Sequence, residues 1–204
     1  MTQAIRRRAK RGQGELLRAE ILAAAEQLLI TTGDQGAVSI RAIADAAGVT
    51  PPSIYLHFAD KSELLAAVCE ARFADFERYM QDAVCGIDDP LEALWAMGRA
   101  YVRFGLEHPE HYRIMFMTRP PADGPAVPVD KLPGLPAFGF LVEAVARCMD
   151  AGGIAAGDPF LVATNLWTAV HGVTSLLIAR PDFPWPDFDR LMELVVDVQR
   201  RGLA

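Results

Sequence analysis

Residues 50–57, TPPSIYLH, bring two hydroxyls (Thr50, Ser53), a phenol (Tyr55) and an imidazole (His57) close together. Side chains of these types reach phosphate oxygens and the base edges exposed in a DNA groove. They follow a short segment, 40–47, from which Gly48-Val49 separates them. Two short helices joined at a glycine make a helix-turn-helix, whose second helix enters the major groove. Ile43, Ala44, Ala47, Val49 and Ile54 are spaced to pack inward and set the angle between the two. That leaves Thr50, Ser53, Tyr55 and His57 on or near the surface of the second helix.

Other chemistries fit poorly. His108, Glu110, His111 and His171 suggest a metal cluster, but HxxH across a helix-breaking proline is a weak pattern and no supporting carboxylates accompany it. His108 reads better as a cap on the preceding helix, and His171 as a donor across a helix bundle. The chain has no GxSxG, no P-loop and no Gly-rich strand-to-helix turn. No catalytic residue, metal or cofactor is therefore expected. Cys69, Cys85 and Cys148 form an odd set without CxxC spacing, read as small buried hydrophobes in a reducing cytoplasm.

The elements that must position these residues are helical throughout. Leu17, Ile21, Ala24, Ala25, Leu28 and Leu29 trace one face of a helix over 15–31, stopped by Gly33. Ser39 caps a helix over 40–47, and a third runs from about 50 to 57 with Pro51 and Pro52 in its first turn. Asp60 with Glu63 reads as a capping box for a long helix over 61–84. Asp89-Pro90 opens a helix to about 107, and a shorter one follows over 110–117. Residues 118–136 hold six prolines and two glycines and read as a long loop, suited to mobility or a lid. Helices over 138–151, 158–180 and 188–200 complete an all-α chain of about nine helices.

The chain has 204 residues, 51% hydrophobic and 23% charged, with a net charge of −6. So apolar a chain buries enough surface to fold, which excludes disorder as its dominant state. The most apolar stretch, 160–178, is interrupted by Thr164, Asn165, Thr168, His171, Thr174 and Ser175, so no membrane span is expected. Glu15, Arg18, Glu20 and Glu26 interrupt the stretch after Arg6–Arg8, so no signal peptide is expected either. The charge is unevenly spread. Residues 1–62 carry eight Lys/Arg against six Asp/Glu, and residues 63–204 carry twelve against twenty. A basic head on an acidic body points to a polyanion met by the head alone; the alternative is a solubilising tail.

Segment 38–65, VSIRAIADAAGVTPPSIYLHFADKSELL, closely resembles the DNA-binding head of the TetR family of bacterial transcriptional regulators. Ile43-Ala44, Ala47-Gly48-Val49, Tyr55, His57-Phe58, Lys61 and Leu64-Leu65 carry the resemblance, which spans about residues 14–66. It implies that Ser39 and Arg41 approach phosphates, and that Pro51, Pro52, Ser53 and Tyr55 lie on the recognition helix facing bases and backbone. Tyr55, His57 and Lys61 would contact phosphates. Two readings stay open for Tyr55 and His57, phosphate contact or packing, and two for the arm Arg6–Arg11, DNA contact or a solvated tail. Pro51-Pro52 departs from the commoner pattern and removes two donors. Readout then leans on Thr50 and Ser53, on apolar contacts to thymine methyls, and on DNA shape.

Segments 108–116, HPEHYRIMF, and 167–172, WTAVHG, resemble the effector-domain variant named for its Trp–His–Gly signature. In such proteins the last two long helices pair with those of a second subunit. The near-uniform apolarity of 158–180 argues independently that this helix is buried on nearly every side, and 188–200 adds a stripe of Leu191, Leu194, Val195 and Val198. An effector pocket is expected between the long linking helix and helices 89–107, 110–117 and 138–150. Its candidate residues are Trp95, Tyr101, Phe104, Tyr112, Met115, Phe116, Phe138, Phe140, Trp167 and His171. Walls of this kind suit a hydrophobic ligand, neutral or aromatic.

The expected protein has a DNA-binding domain over 1–61, with a basic arm at 1–13, and an effector and dimerisation domain over 62–204. It would be a cytoplasmic homodimer, a repressor leaving its palindromic operator when the effector makes helix 61–84 swing. The alternative is a helical ligand-sequestering protein without specific DNA readout.

Overall fold

In the computed structural model, residues 13–117 and 132–203 are described. Arg6–Arg11 and most of the proline-rich segment, 118–131, lie outside them. The described residues form nine α-helices and no strand. The described residues divide into two compact units, the first running to Glu70 and the second built from 71–116 and 132–203.

The first unit holds α1 (Gln13–Thr32), α2 (Ile40–Ala47), α3 (Pro51–Ile54) and α4 (Lys61–Val84) as far as Glu70. Its core is Ile21, Ala25, Leu29, Val38, Ile43, Ala44, Ile54, Phe58, Leu64, Leu65 and Val68. Ser39 caps α2, its Oγ accepting from Ala42 N–H at 3.1 Å. At the other end Gly48 sits at φ +66°, where Val49 N–H reaches the Ala44 carbonyl at 2.9 Å. A left-handed residue at that point closes the helix with both carbonyls satisfied, which favours glycine. Asp60 caps α4 through Glu63 N–H at 2.8 Å, and the Glu63 carboxylate reaches back to Ala59 N–H. That return bond lands one residue earlier than in the usual reciprocal pair.

The third helix is shorter than its pattern suggests. Helical geometry ends at Ile54, and residues 55–57 form a turn. The chain tightens there because His57 N–H bonds the Ile54 carbonyl at 2.9 Å, three residues back.

The second unit holds the rest of α4, α5 (Pro90–Glu107), α6 (Pro109–Tyr112), α7 (Leu135–Asp150), α8 (Pro159–Ala179) and α9 (Phe188–Leu203). Helix α5 packs mainly on α7 and α8. Asp89 and Asp158 cap α5 and α8 ahead of first-turn prolines. A single π-helical turn, Arg113–Met117, continues α6. Three boundaries differ from expectation. Pro109 opens α6 rather than separating it, Pro136 lies inside the first turn of α7, and α9 runs on to Leu203. Pro109 and Pro136 lack a flanking Asp or Ser cap and read as break and loop, although a proline's missing N–H is an orphan donor in a first turn anyway.

At Gly105 α5 has no room for a side chain against α8 and α6: a Cβ there would overlap Thr174 Cγ2 and crowd the Tyr112 ring. Of α8, only Ala163, Leu166, Thr174 and Ile178 are buried, and Leu161 is 66% exposed. The expected burial on nearly every side is therefore not met within one chain. By length and composition α8 could also cross a membrane, although its polar residues recur throughout. Cys148 is buried and Cys69 half-buried, but Cys85 is exposed, against the expectation that all three are buried.

Candidate functional site

The outward face of the first unit gathers most of the residues read as DNA-contacting. Arg41, Thr50, Pro52 and Tyr55 are exposed, and Pro51, Ser53 and His57 are half-buried. Thr50 stands at the N-cap of α3 without capping it; its Oγ1 lies 3.0 Å from Ser53 Oγ. These hydroxyls are thus held as a pair, with lone pairs left for further partners. Ser39 is exposed but its Oγ is used in capping α2. Tyr55 is 54% exposed, so packing does not occupy its ring. Leu56, which the sequence reading passed over, is 83% exposed beside it. Alternation along the turn marked it as surface, but its apolar type hid it among core positions. On the inner side, Arg18 stacks over Phe58 at 5.0 Å, fixing α1 against the start of α4.

Lys61 is placed differently from a simple surface cation. Its Nζ donates to the carbonyls of Gln35 and Val38, both at 2.9 Å. Two of its three N–H groups thereby hold the connection between α1 and α2, and one remains.

The second unit encloses a cavity of about 550 Å³. Of the ten candidates, Trp95, Tyr101, Met115, Phe116, Phe138, Phe140, Trp167 and His171 line it. Phe104 and Tyr112 do not. Phe104 is packed behind Phe76 and Tyr79, ring centroids 5.1 and 5.4 Å away. Tyr112 is fully buried behind the wall, held there by the π-turn and by α8. The lining also includes Phe73, Phe76 and Met80 of α4 and Met192, Val195 and Val196 of α9, which sequence reading missed. Their 3- and 4-residue spacing was visible, but spacing alone does not separate a cavity-facing side chain from a core one.

Phe116, on the π-turn, sits at the centre of the aromatic wall. Its ring centroid lies 4.8 Å from Tyr112, 5.3 Å from Phe73, 5.4 Å from His171 and 6.5 Å from Trp167. Behind it is a polar triangle. Tyr101 and Tyr112 hydroxyls are 3.2 Å apart, and they lie 3.0 and 2.7 Å from His171 Nδ1. Trp167 Nε1–H donates into Tyr101 at 3.2 Å. Burial pushes both phenols up, Tyr101 further through the neighbouring Tyr112 hydroxyl, so both are protonated at neutral pH. Burial lowers His171 below its ordinary value, which keeps the imidazole neutral there. Both tyrosine hydroxyls lie within hydrogen-bonding distance of His171 Nδ1, so whether this nitrogen donates, as expected, or accepts is set by the imidazole tautomer. Elsewhere, His108 and His111 stack with centroids 5.5 Å apart. Among the described residues no three His, Cys, Asp or Glu side chains converge as metal ligands.

Residues 94–199, about half the chain, match the profile described as the tetracyclin repressor-like C-terminal domain, and residues 21–68 match that of bacterial regulatory proteins of the tetR family. The chain belongs to the TetR family. It is a DNA-binding, ligand-responsive transcription regulator. The head match lies inside the first compact unit, and both ends of the C-terminal match lie in the second.

No curated protein matches this TetR-family chain by sequence. Among solved structures it is similar to a protein of unknown function from Rhodococcus sp. RHA1, with 28% identity and a TM-score of 0.77 over 92% of this chain and 95% of that one. A TetR family transcription regulator from Marinobacter aquaeolei VT8 shares 22% identity, with a TM-score of 0.73 over 96% and 99% of the two chains. AibR in complex with isovaleryl coenzyme A and operator DNA shares 22% identity, with a TM-score of 0.64 over 92% and 97%.

Proposed function

We propose that this TetR-family protein is a homodimeric repressor whose α2–α3 face reads a palindromic operator. A small apolar effector in the second unit's cavity would release it. The observation that carries the ligand half is the cavity itself. About 550 Å³ walled by aromatic and Met side chains, with no charged residue in the lining among the described residues, is the setting an apolar molecule prefers. The DNA half rests on the outward set Arg41, Thr50, Pro52 and Tyr55, with Ser53 and His57 beside them. Leu56 adds an apolar surface for a thymine methyl.

Exposed apolar side chains on the last two helices support the dimer. Leu161 and Leu176 of α8, and Leu194 and Val198 of α9, are each more than half exposed. A single chain leaves them in water, whereas an isologous twofold contact buries them twice over. A twofold also sets two recognition elements about one DNA turn, roughly 34–36 Å, apart. In functional terms residues 1–61 bind DNA and 62–204 bind effector and partner. The function is binding rather than catalysis, and the compartment is the cytoplasm, where the operator is.

Selection from a random duplex pool at about 0.15 M salt tests the reading. An enriched inverted repeat supports it. Salt-sensitive binding without enrichment overturns it in favour of a ligand-sequestering protein with a basic head.

A further inference from the structure

Neutral Tyr101, Tyr112 and His171 can share their protons in two ways. If His171 Nδ1 carries hydrogen, it occupies a phenol oxygen, and the Tyr112 proton must turn away from the triangle, to the His171 carbonyl at 3.5 Å or to the neighbouring Ser175 or Thr174 hydroxyl. If Nδ1 accepts, Tyr112 donates to it at 2.7 Å and Tyr101 donates within the triangle. Trp167 N–H then fills the Tyr101 oxygen. The second arrangement gives both phenol protons and the Trp167 N–H acceptors within the cluster, at 2.7–3.2 Å. It places the imidazole proton on Nε2, and no described residue accepts from that nitrogen.

His171 lines the cavity, and among the described residues no Asp, Glu, Lys or Arg does so. A buried carboxylate or ammonium on the ligand would find no opposite charge there, and burying an unpaired ion is costly. An uncharged acceptor would find a donor already oriented. Trp95, another lining residue, has a buried indole N–H that meets no acceptor among the described residues. The wall thus offers two N–H donors, on His171 and Trp95, for which no described residue supplies an acceptor.

We infer that the cavity selects an uncharged apolar molecule bearing a carbonyl-type acceptor, which takes its hydrogen bond from His171 Nε2–H. In this arrangement Tyr101 and Tyr112 are positioning residues: they set the tautomer and hold the ring, while His171 touches the ligand. The inference rests on the proposed effector role of the cavity and names the chemistry of what enters it.

The test is calorimetric titration of the full chain without DNA, using three probes of similar size: hexanophenone, hexylbenzene and 6-phenylhexanoate. The ketone should bind at least about tenfold more tightly than the hydrocarbon, and the carboxylate more weakly than the ketone. His171→Phe should abolish the preference for the ketone while hexylbenzene still binds. If that variant fails to fold, His171→Gln, whose amide can accept from the tyrosines and donate onward, should retain part of it. Equal binding of ketone and hydrocarbon by the wild type overturns the inference, as does tighter binding of the carboxylate or no binding of any probe. Because DNA is absent, these outcomes bear on the ligand chemistry alone. An effector that binds yet leaves the operator occupied would instead contradict the repressor reading.

Discussion

The Lys61 ammonium donates to the backbone carbonyl of Val38 at 2.9 Å, one residue before the Ser39 cap of α2. The first residue of α4 thereby holds the entry to the first helix of the helix-turn-helix. A second bond to the Gln35 carbonyl fastens the same connection.

Lys61→Ala should therefore lower the stability of the head as well as its affinity for DNA. Two charge-assisted bonds to half-buried carbonyls are worth about 1–3 kcal/mol in sum. Chemical denaturation followed by helix content would show the midpoint falling. A variant as stable as the wild type, with a salt slope of DNA binding reduced by about one, would mean that Lys61 acts only on phosphate.

Gly105→Ala should destabilise the second unit by about 1–3 kcal/mol. The added methyl overlaps Thr174 Cγ2 and lies close to the Tyr112 ring, and Thr174 is itself fully buried. Thermal unfolding is the measurement. In the double variant with Thr174→Ser, which removes the opposing methyl and keeps the hydroxyl bonded to the Val170 carbonyl, part of the loss should return.

The lowered pKa of His171 gives stability a definite pH dependence. Burial favours its neutral form in the fold, whereas the unfolded chain titrates at the ordinary value of 6.5. Between that value and the lower one in the fold, the unfolded state binds a proton that the folded state does not. Stability thus declines as pH falls below 6.5, and the contribution of this group stops changing once pH passes below the folded value. His171→Gln should show a shallower fall in melting temperature over that acid range than the wild type. Parallel curves would show that His171 does not contribute.

Leu194→Asp should convert the proposed dimer to monomer. The side chain is 60% exposed in one chain, so a carboxylate there costs little to the fold and much to an apolar twofold contact. Sedimentation equilibrium distinguishes the outcomes. A variant that remains dimeric moves the interface away from α9.

Elements with local signals were legible in the sequence. Ser39 and Gly48 mark both ends of α2, and Asp60 and Asp89 mark the starts of α4 and α5, because caps are contacts between residues a few positions apart. The start of α7 was misread, since Pro136 in a first turn looks like loop composition. The π-turn at 113–117 has no comparable local mark. Lys61 was recognised as a cation, but its partners are carbonyls more than twenty residues away, and no side-chain pattern reveals an occupied carbonyl. Similarly, aromatic residues of α5 and α7 suggested a pocket, whereas Phe104 and Tyr112 looked no different from the residues that line it. Exposure on α8 became visible only with the fold, because composition cannot distinguish a core helix from one awaiting a partner.

The most direct measurement compares binding of the purified chain to a selected inverted-repeat duplex and to a scrambled duplex of equal length, by fluorescence anisotropy at about 0.15 M salt. A sequence-specific dimer should prefer the selected duplex by about a thousandfold or more. Equal affinities, both falling steeply with salt, would contradict sequence-specific regulation and leave only the attraction of a basic head for a polyanion.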